Sequence, residues 1–247
     1  MTQKTQPYLL SIILPAHNEE QRLPETLQQV TQFIQSQNYP IEIVIVENAS
    51  KDRTLDIARE YASQHENVLV LHEERPGKGL AVKEGMLAAS GEYRIFCDVD
   101  FSMPITEIPR FLPPLQKNVD IAIASREAKG AIRYDEPLTR HIIGRVFNMV
   151  VWVLVLPGIN DTQCGFKCFS AAVTEKLFPL QSIHGWTFDV EILVIARQLG
   201  YKVVEVPVPW YYQPQSKVNV VRDFMRTIKE LFKVRKIIRT RSYEKQI

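Results

Sequence analysis

Short apolar runs at residues 8–14, 41–46, 68–71 and 93–98 alternate with stretches of helical spacing, at intervals of about 25–30 residues. This alternation constrains the fold more than any other feature of the chain. The run at 41–46 is almost continuous in β-branched residues, the pattern of a strand covered on both faces. Pro24 and Glu25 suit a helix start, and Leu27, Val30, Phe33 and Ile34 repeat with helical spacing. A second helix is expected over 54–64. A third opens at Gly77-Lys78-Gly79 and runs to about residue 89. Strand–helix–strand repeats of this kind call for an α/β domain with a mostly parallel sheet and helices on both faces.

The ends of these strands carry the chemistry. The first is followed by Pro15-Ala16-His17-Asn18-Glu19, the second by Glu47-Asn48, and the fourth by Asp98-Val99-Asp100. In a parallel sheet the carboxyl ends lie on one edge, which is where open α/β sheets bind ligands. An isolated Asp-x-Asp reads as a helix cap beside a solvated loop acid. Acids at three matching topological positions are not what a solvated surface requires. A carboxylate pair that binds Mg²⁺ or Mn²⁺ leaves ligand positions to water and phosphate oxygens, so Asp98 and Asp100 fit a metal–diphosphate site. Glu19 and Glu47 then face a nucleoside, whose hydroxyl and N–H groups a carboxylate accepts. Gly77-Lys78-Gly79 is a near miss for a dinucleotide fingerprint, since the third glycine is absent. No P-loop occurs. Lys78 remains a candidate to reach a nucleotide.

The second half is less regular. Pro109, Pro113 and Pro114 limit helices to short pieces. A strand is expected at 119–124, leading into Arg126, and a mobile loop at 128–137. A helix is expected at 138–156, with Arg140, His141 and Arg145 in its first half and an apolar second half. The stretch 161–169 reads as a turn entering a strand. Gly185-Trp186-Thr187 precedes a helix with Asp189 and Glu191 in its first turn, and residues 201–212 are extended.

Net charge is +2, which argues against a nucleic-acid partner, but ten Lys/Arg against three Asp/Glu fall within 217–247. There Val221, Phe224, Met225, Ile228, Leu231 and Phe232 form one helical stripe beside Arg222, Arg226, Lys229, Lys233 and Lys236. We therefore expect one domain over 1–216 and a basic amphipathic helix over 217–247, seated on a membrane surface or on its own domain. No signal peptide is evident, and the longest apolar run, 149–156, is too short to span a bilayer. Three cysteines without metal-ligand spacing suit a reducing, cytoplasmic setting.

Taken together, residues 12–20, 46–52 and 96–100 resemble the three successive signatures of the inverting family 2 glycosyltransferases. Residues 161–167 and 185–191 are similar to the subgroup that loads a sugar onto a polyprenyl phosphate. The resemblance covers roughly residues 9–212. It implies a GT-A-type fold, a nucleotide-sugar donor and a divalent metal, Mg²⁺ or Mn²⁺. The anomeric carbon would be inverted and the acceptor would be a polyprenyl phosphate. Carried onto this chain, Pro15, Ala16, Asn18, Glu19, Glu47, Asn48, Lys78, Asp98 and Val99 fall at the nucleotide, and Asp98 and Asp100 at the metal and diphosphate. The chain departs from the family where Glu47 and Asn48 stand for two aspartates, and the N-terminal membrane anchor of some relatives is not expected from the polar residues that open this sequence.

A sugar-hydroxyl acceptor needs a general base. A phosphate acceptor is already anionic and needs cations instead. Arg126, Arg140, Arg145 and Lys167 are the candidates to grip it, with Arg133 nearby. Asp100, Asp161, Gln163 and Asp189 are the candidate catalytic residues, Asp161 as an orienting group for the acceptor or an arginine. The expected activity is transfer of a hexose, glucose from UDP-glucose, to a polyprenyl or dolichyl phosphate by a protein peripheral on the cytoplasmic face of a membrane. Alternatives are GDP-mannose as donor, a sugar-hydroxyl acceptor, a nucleotidyltransferase, or a non-catalytic membrane scaffold.

Overall fold

The computed structural model describes residues 8–213 and 230–236. Its first half follows the alternation in the sequence. Strands β1 (Leu10–Ala16), β2 (Ile41–Asn48), β3 (Val68–Glu73) and β4 (Tyr93–Cys97) are connected by helices α1 (Leu23–Gln35), α2 (Thr54–Ser63) and α3 (Lys78–Ala88). All eight residues of β2 are buried, as its β-branched run predicts. These four strands pair in parallel, with Leu10 opposite Ile41 and Tyr93, and Ile43 opposite Val68.

The second half supplies β5 (Ile121–Ser125), β6 (Ile132–Tyr134), α4 (Leu138–Leu154), β7 (Phe166–Ser170), α5 (Ala171–Leu177), α6 (Phe188–Gln198), β8 (Val203–Pro207) and β9 (Pro209–Tyr211). The main sheet has the order β3-β2-β1-β4-β7-β5-β8. β7 runs antiparallel to both β4 and β5, while β5 and β8 are parallel. Six of the seven strands therefore share one direction. The reversal matters because it brings the start of β7 to the edge where the other strands end.

Alternate residues of each strand feed two cores. Ile13 and Phe96 face α3, α6 and the inner side of α4. Ile12, Leu14 and Ile95 face α1 and the 3-10 segment Ile105–Phe111. Gly85 sets the depth of α3 on the sheet. A Cβ there would meet Ile13 Cγ2 at 2.5 Å and Val46 Cγ2 at 2.8 Å.

Two local expectations change. Pro15 lies in β1 rather than in a following loop. Pairing of β1 with β4 ends at Ile13–Phe96, so the proline sits where one side of the strand carries no ladder. The loop expected at 128–137 contains β6, which pairs with β9 through Arg133–Trp210. A three-residue strand whose partner lies 77 positions on leaves no periodicity to read. In the C-terminal region, residues 230–236 are helical, and Leu231 and Val234 are buried in the α3/α6 core. The described part of the expected basic helix thus packs on its own domain. The rest of its stripe, and the boundary at 216/217, lie outside the described residues.

Replacing Gly85 with leucine is expected to cost about 1–3 kcal/mol through overpacking between α3 and the sheet. Urea unfolding would show it as a lower midpoint at unchanged m-value. A midpoint equal to wild type would mean that α3 does not need its close approach.

Candidate active site

A cavity of about 650 Å³ opens at the carboxyl edge of the sheet, within the range of ligand sites. Its acidic end is the turn after β4. The Asp98 amide donates to Gly165 O at 3.1 Å, extending the β4–β7 pairing. Phe101 N then donates to Asp98 O at 3.2 Å, with Phe101 in the left-handed region at φ 39°. Thr26 Oγ1 donates to Val99 O at 2.5 Å, and Ser102 N to Asp100 Oδ1 at 3.0 Å. Val99 is buried, and it lines the cavity together with Asp98 and Asp100. Burial and the neighbouring Asp98 charge push the Asp100 carboxyl above its ordinary pKa. Gly165 lies beneath them, and a Cβ there would push the Asp98 carboxylate aside.

Lys78, the first residue of α3, reaches Asp98 Oδ1 at 2.6 Å and stands 4.8 Å from the Trp186 ring centroid. Burial works against its charge, but Asp98 and Asp189 outweigh that and hold its pKa above the ordinary lysine value. The described residues contain no cluster of three or more His, Cys, Asp or Glu suited to a metal. A divalent ion here would be held by Asp98 and Asp100, with water and phosphate oxygens completing its shell. That is the usual habit of Mg²⁺ or Mn²⁺ at a diphosphate, and a like-charged carboxylate pair with one member destabilised fits it.

Beside this turn, Pro15, Ala16, Glu19 and Asn48 line the cavity, as do His17 and Arg22. Arg22 forks onto Glu19 with two bonds of 2.6 Å. Asn48 ties down the approach to α3: Nδ2 donates to Glu73 O and Arg75 O, and Oδ1 accepts from Gly77 N at 2.8 Å. Two expected contacts are not brought to the cavity wall. Glu47 is buried and accepts from Ser50 N at 2.5 Å, with His72 Nδ1 at 2.5 Å from its other oxygen. Although burial opposes it, these bonds lower the Glu47 pKa. Asn18 braces the loop after β2, its Oδ1 accepting from Lys51 N at 2.8 Å. Both shape the site from behind.

The opposite wall is cationic. Arg126, just past β5, clasps Asp161 through Nε and Nη2 at 2.7 and 2.9 Å, and its backbone N–H reaches Asp161 Oδ2 at 2.9 Å. Asp161 is fully buried, yet the guanidinium outweighs the burial and brings its pKa down to about 2. Asp161 is therefore the positioning group for an arginine. Arg133 is held by Glu127 at 2.5 Å and Glu136 at 2.7 Å. Trp210 of β9 packs under Arg126 and Arg133, 5.5 and 6.0 Å from its ring centroid. Arg140, on α4, lies over the Tyr212 ring at 5.1 Å and has no carboxylate partner among the described residues. Gln163 lines the cavity and donates to Trp186 O at 3.3 Å.

Two of the expected acceptor cations are elsewhere. Lys167 is fully buried on β7, donating to Asp189 Oδ1 at 2.6 Å and Cys164 O at 2.7 Å. Strand alternation turns it into the core over the Phe96 ring, where it balances Asp189. Asp189 itself lines the cavity. Burial keeps its carboxyl above the ordinary pKa, against the pull of Lys167 and Lys78. Arg145 points outward, 3.5 Å from Glu127 and largely exposed. Trp210 and Glu136 enter the cavity unannounced by sequence, because the β6–β9 pairing delivers them. Glu191 caps the turn before α6, accepting from Ser182 and Ile183.

A mostly parallel sheet with an acidic turn after the fourth strand, facing a cationic wall, is the architecture of the GT-A-type glycosyltransferase fold. The chain belongs to glycosyl transferase family 2, whose model matches residues 11–178. It is 34% identical over 243 residues to a dolichyl-phosphate beta-glucosyltransferase of Drosophila melanogaster, covering 91% of this chain and 74% of that one. It is 29% identical to the Homo sapiens protein of the same name, over 92% of this chain and 74% of the relative. Among solved structures, glucosyl-3-phosphoglycerate synthase from Mycobacterium tuberculosis, in complex with Mn²⁺, UDP-glucose and phosphoglyceric acid, matches with a TM-score of 0.70 at 17% identity. The match covers 93% of this chain and 80% of that one. The expected fold class is thereby borne out, and the chain is a glycosyltransferase by family.

Asp161→Asn is expected to cost about 3–5 kcal/mol at pH 7, since it leaves a buried arginine without its counter-charge. The native aspartate contributes its share above the ordinary pKa of 3.8 and loses it as pH falls through about 2. The stability gap between wild type and variant should therefore be constant near neutrality and shrink below pH 3.8. A gap that stays constant down to pH 2 would contradict the ion pair.

Proposed function

We propose that this protein transfers a glucosyl group from UDP-glucose, with inversion, onto a polyprenyl phosphate of the dolichyl type, in the presence of Mg²⁺ or Mn²⁺. One observation carries the proposal. A single cavity joins a carboxylate pair suited to a metal–diphosphate to a wall of arginines in which Arg140 has no described carboxylate partner. The names of the relatives and the UDP-glucose and Mn²⁺ in the solved neighbour support the same substrates.

The residues divide the work as follows. Pro15, Ala16, Glu19 and Asn48 receive the nucleoside. Asp98 and Asp100 hold the divalent ion, which supplies charge neutralisation for the departing diphosphate. Lys78 stands beside Asp98, ready to share its proton-rich end with a phosphate oxygen. Gln163 and Asp189 orient the sugar. Arg140 receives the acceptor phosphate, and Arg126, fixed by Asp161, completes that wall with Arg133. A phosphate oxygen is anionic at neutral pH, so attack on the anomeric carbon needs positioning rather than deprotonation. Asp189, engaged by Lys167, need not act as a base. A membrane-bound acceptor implies a protein that works at a cytoplasmic membrane face; among the described residues no helix is long and apolar enough to cross one.

The test is a panel of nucleotide sugars offered with a polyprenyl phosphate, scoring lipid-linked product with and without Mn²⁺. Metal-dependent product from UDP-glucose is expected. Asp98→Ala and Asp100→Ala should each lower it by about 100-fold or more, and Arg140→Ala should act chiefly on KM for the acceptor. Product from GDP-mannose alone, or transfer only to soluble sugars, would overturn the assignment. Retained metal-dependent activity in either aspartate variant would overturn the site.

A further inference from the structure

The chain between α5 and α6 reaches the acidic end of the cavity at Gly185 and Trp186. It closes over the start of α3, where His184 O accepts from Gly79 N at 2.8 Å and from Leu80 N at 3.3 Å. The fit is tight: a Cβ on Gly79 would meet Phe188 Cβ at 2.6 Å and Ile183 O at 2.8 Å. Trp186 is half-exposed, with its ring beside Lys78 and its carbonyl accepting from Gln163. Asp189 follows in the first turn of α6. One short segment thus touches or carries Lys78, Gln163 and Asp189, the groups that face the diphosphate and the sugar.

The group that holds this segment from behind comes from the far end of the chain. Thr187 is the N-cap residue of α6, and a threonine there ordinarily turns its hydroxyl to an amide of the first turn. Thr187 makes no such bond, and its buried hydroxyl donates instead to Glu230 Oε2 at 2.5 Å. The same carboxylate lies against Gly185, where a Cβ would meet Oε1 at 2.9 Å and Oε2 at 3.2 Å. Leu231 and Val234, on the helical stretch with Glu230, are buried in the α3/α6 core. Glu230 is one of three acids among ten Lys/Arg over 217–247. A negative charge is stabilising at the N-terminal end of a helix, and this acid is set on the N-terminal end of α6.

We propose that Glu230 is a positioning residue for the nucleotide-sugar end of the active site, an inference that rests on the donor reading above. Its carboxylate engages Gly185 and Thr187, on either side of Trp186, and so fixes the indole beside Lys78 and the first turn of α6 beneath the sugar. The C-terminal segment is then a working part of the site. Glu230 touches neither sugar nor phosphate and acts through Trp186 and α6. Without its bond to Thr187, residues 184–187 gain backbone freedom that donor binding must remove, and the loss falls on the donor. The arginines of the opposite wall, Arg126, Arg133 and Arg140, stand on other elements, so the acceptor is spared. Coupling is reciprocal: a donor that orders Trp186 also tightens the hold on residues 230–236.

The experiment compares the full chain with Glu230→Ala, Thr187→Val, the double variant and the conservative Thr187→Ser. Two things are measured: amide hydrogen exchange over 183–190, and initial rates with UDP-glucose, Mn²⁺ and a polyprenyl phosphate. Glu230→Ala and Thr187→Val should each speed exchange over 183–190. Each should also raise KM for UDP-glucose by about tenfold, with KM for the acceptor unchanged. The double variant should do no more than either single one, and Thr187→Ser should match wild type. A merely structural contact would reduce the folded fraction, which lowers apparent kcat and leaves both KM values in place; that result would overturn the proposal. So would an equal rise in both KM values, or effects that add fully in the double variant. Wild type that makes no product from UDP-glucose would bring down the donor reading alone. Exchange over 183–190 that is unchanged in Glu230→Ala would bring down the positioning role whatever the donor.

Discussion

The hydrogen bond from the Asp98 amide to the Gly165 carbonyl is the joint on which the site depends. It carries the antiparallel β4–β7 pairing one residue past the strand, so the two acids leave the sheet at a fixed point. A side chain at Gly165 would displace the Asp98 carboxylate, and with it the contact to Lys78. The same reversal places Gln163 and Cys164 at the cavity. Had β7 been parallel, its amino end would lie at the far edge of the sheet, and Gln163 and Cys164 would be missing from the cavity wall.

Around that joint, charge is balanced group by group. Lys78 answers Asp98, Arg22 answers Glu19, Asp161 answers Arg126, Glu127 and Glu136 answer Arg133, and Lys167 answers Asp189. Buried charges persist only when paired, and each pair fixes two side chains at once. Arg140 lacks such a partner among the described residues, which gives the cavity its directional character: a pair of neighbouring carboxylates, Asp98 and Asp100, at one end, and an arginine available to an anion at the other. Two of the cysteines, Cys164 and Cys168, have pKa values pushed up to about 12 by burial, so they remain thiols at neutral pH.

Much of the site was legible before the structure. The acids at strand ends could be read because a parallel sheet gathers its carboxyl ends on one edge whatever the side-chain detail. Asp98, Asp100, Glu19, Asn48 and Lys78 do line the cavity. Glu47 and Lys167 illustrate the limit. Both are charged residues at plausible places, and both are turned inward by strand pleat to serve buried partners, His72 with Ser50 and Asp189. Arg140 and Arg145, five residues apart on one helix, look equivalent in sequence, yet one faces the cavity and the other the outside. Trp210 and Glu136 gave no signal, because the pairing that delivers them joins segments far apart in the chain.

The sequence by itself determined the layered α/β class, the positions of the first four strands, the acidic edge and the family. All of these follow from local periodicity and from short motifs whose spacing is set within one strand–turn–helix unit. Only the tertiary structure decided which charges meet. The antiparallel insertion of β7, the β6–β9 pair and the two-sided character of α4 depend on contacts between residues distant in sequence, and burial then chose which acids and bases were neutralised and which were left facing the cavity. The outer face of α4 shows the division plainly. Its apolar residues are present in the chain, but that they point away from the core is a property of the packed molecule.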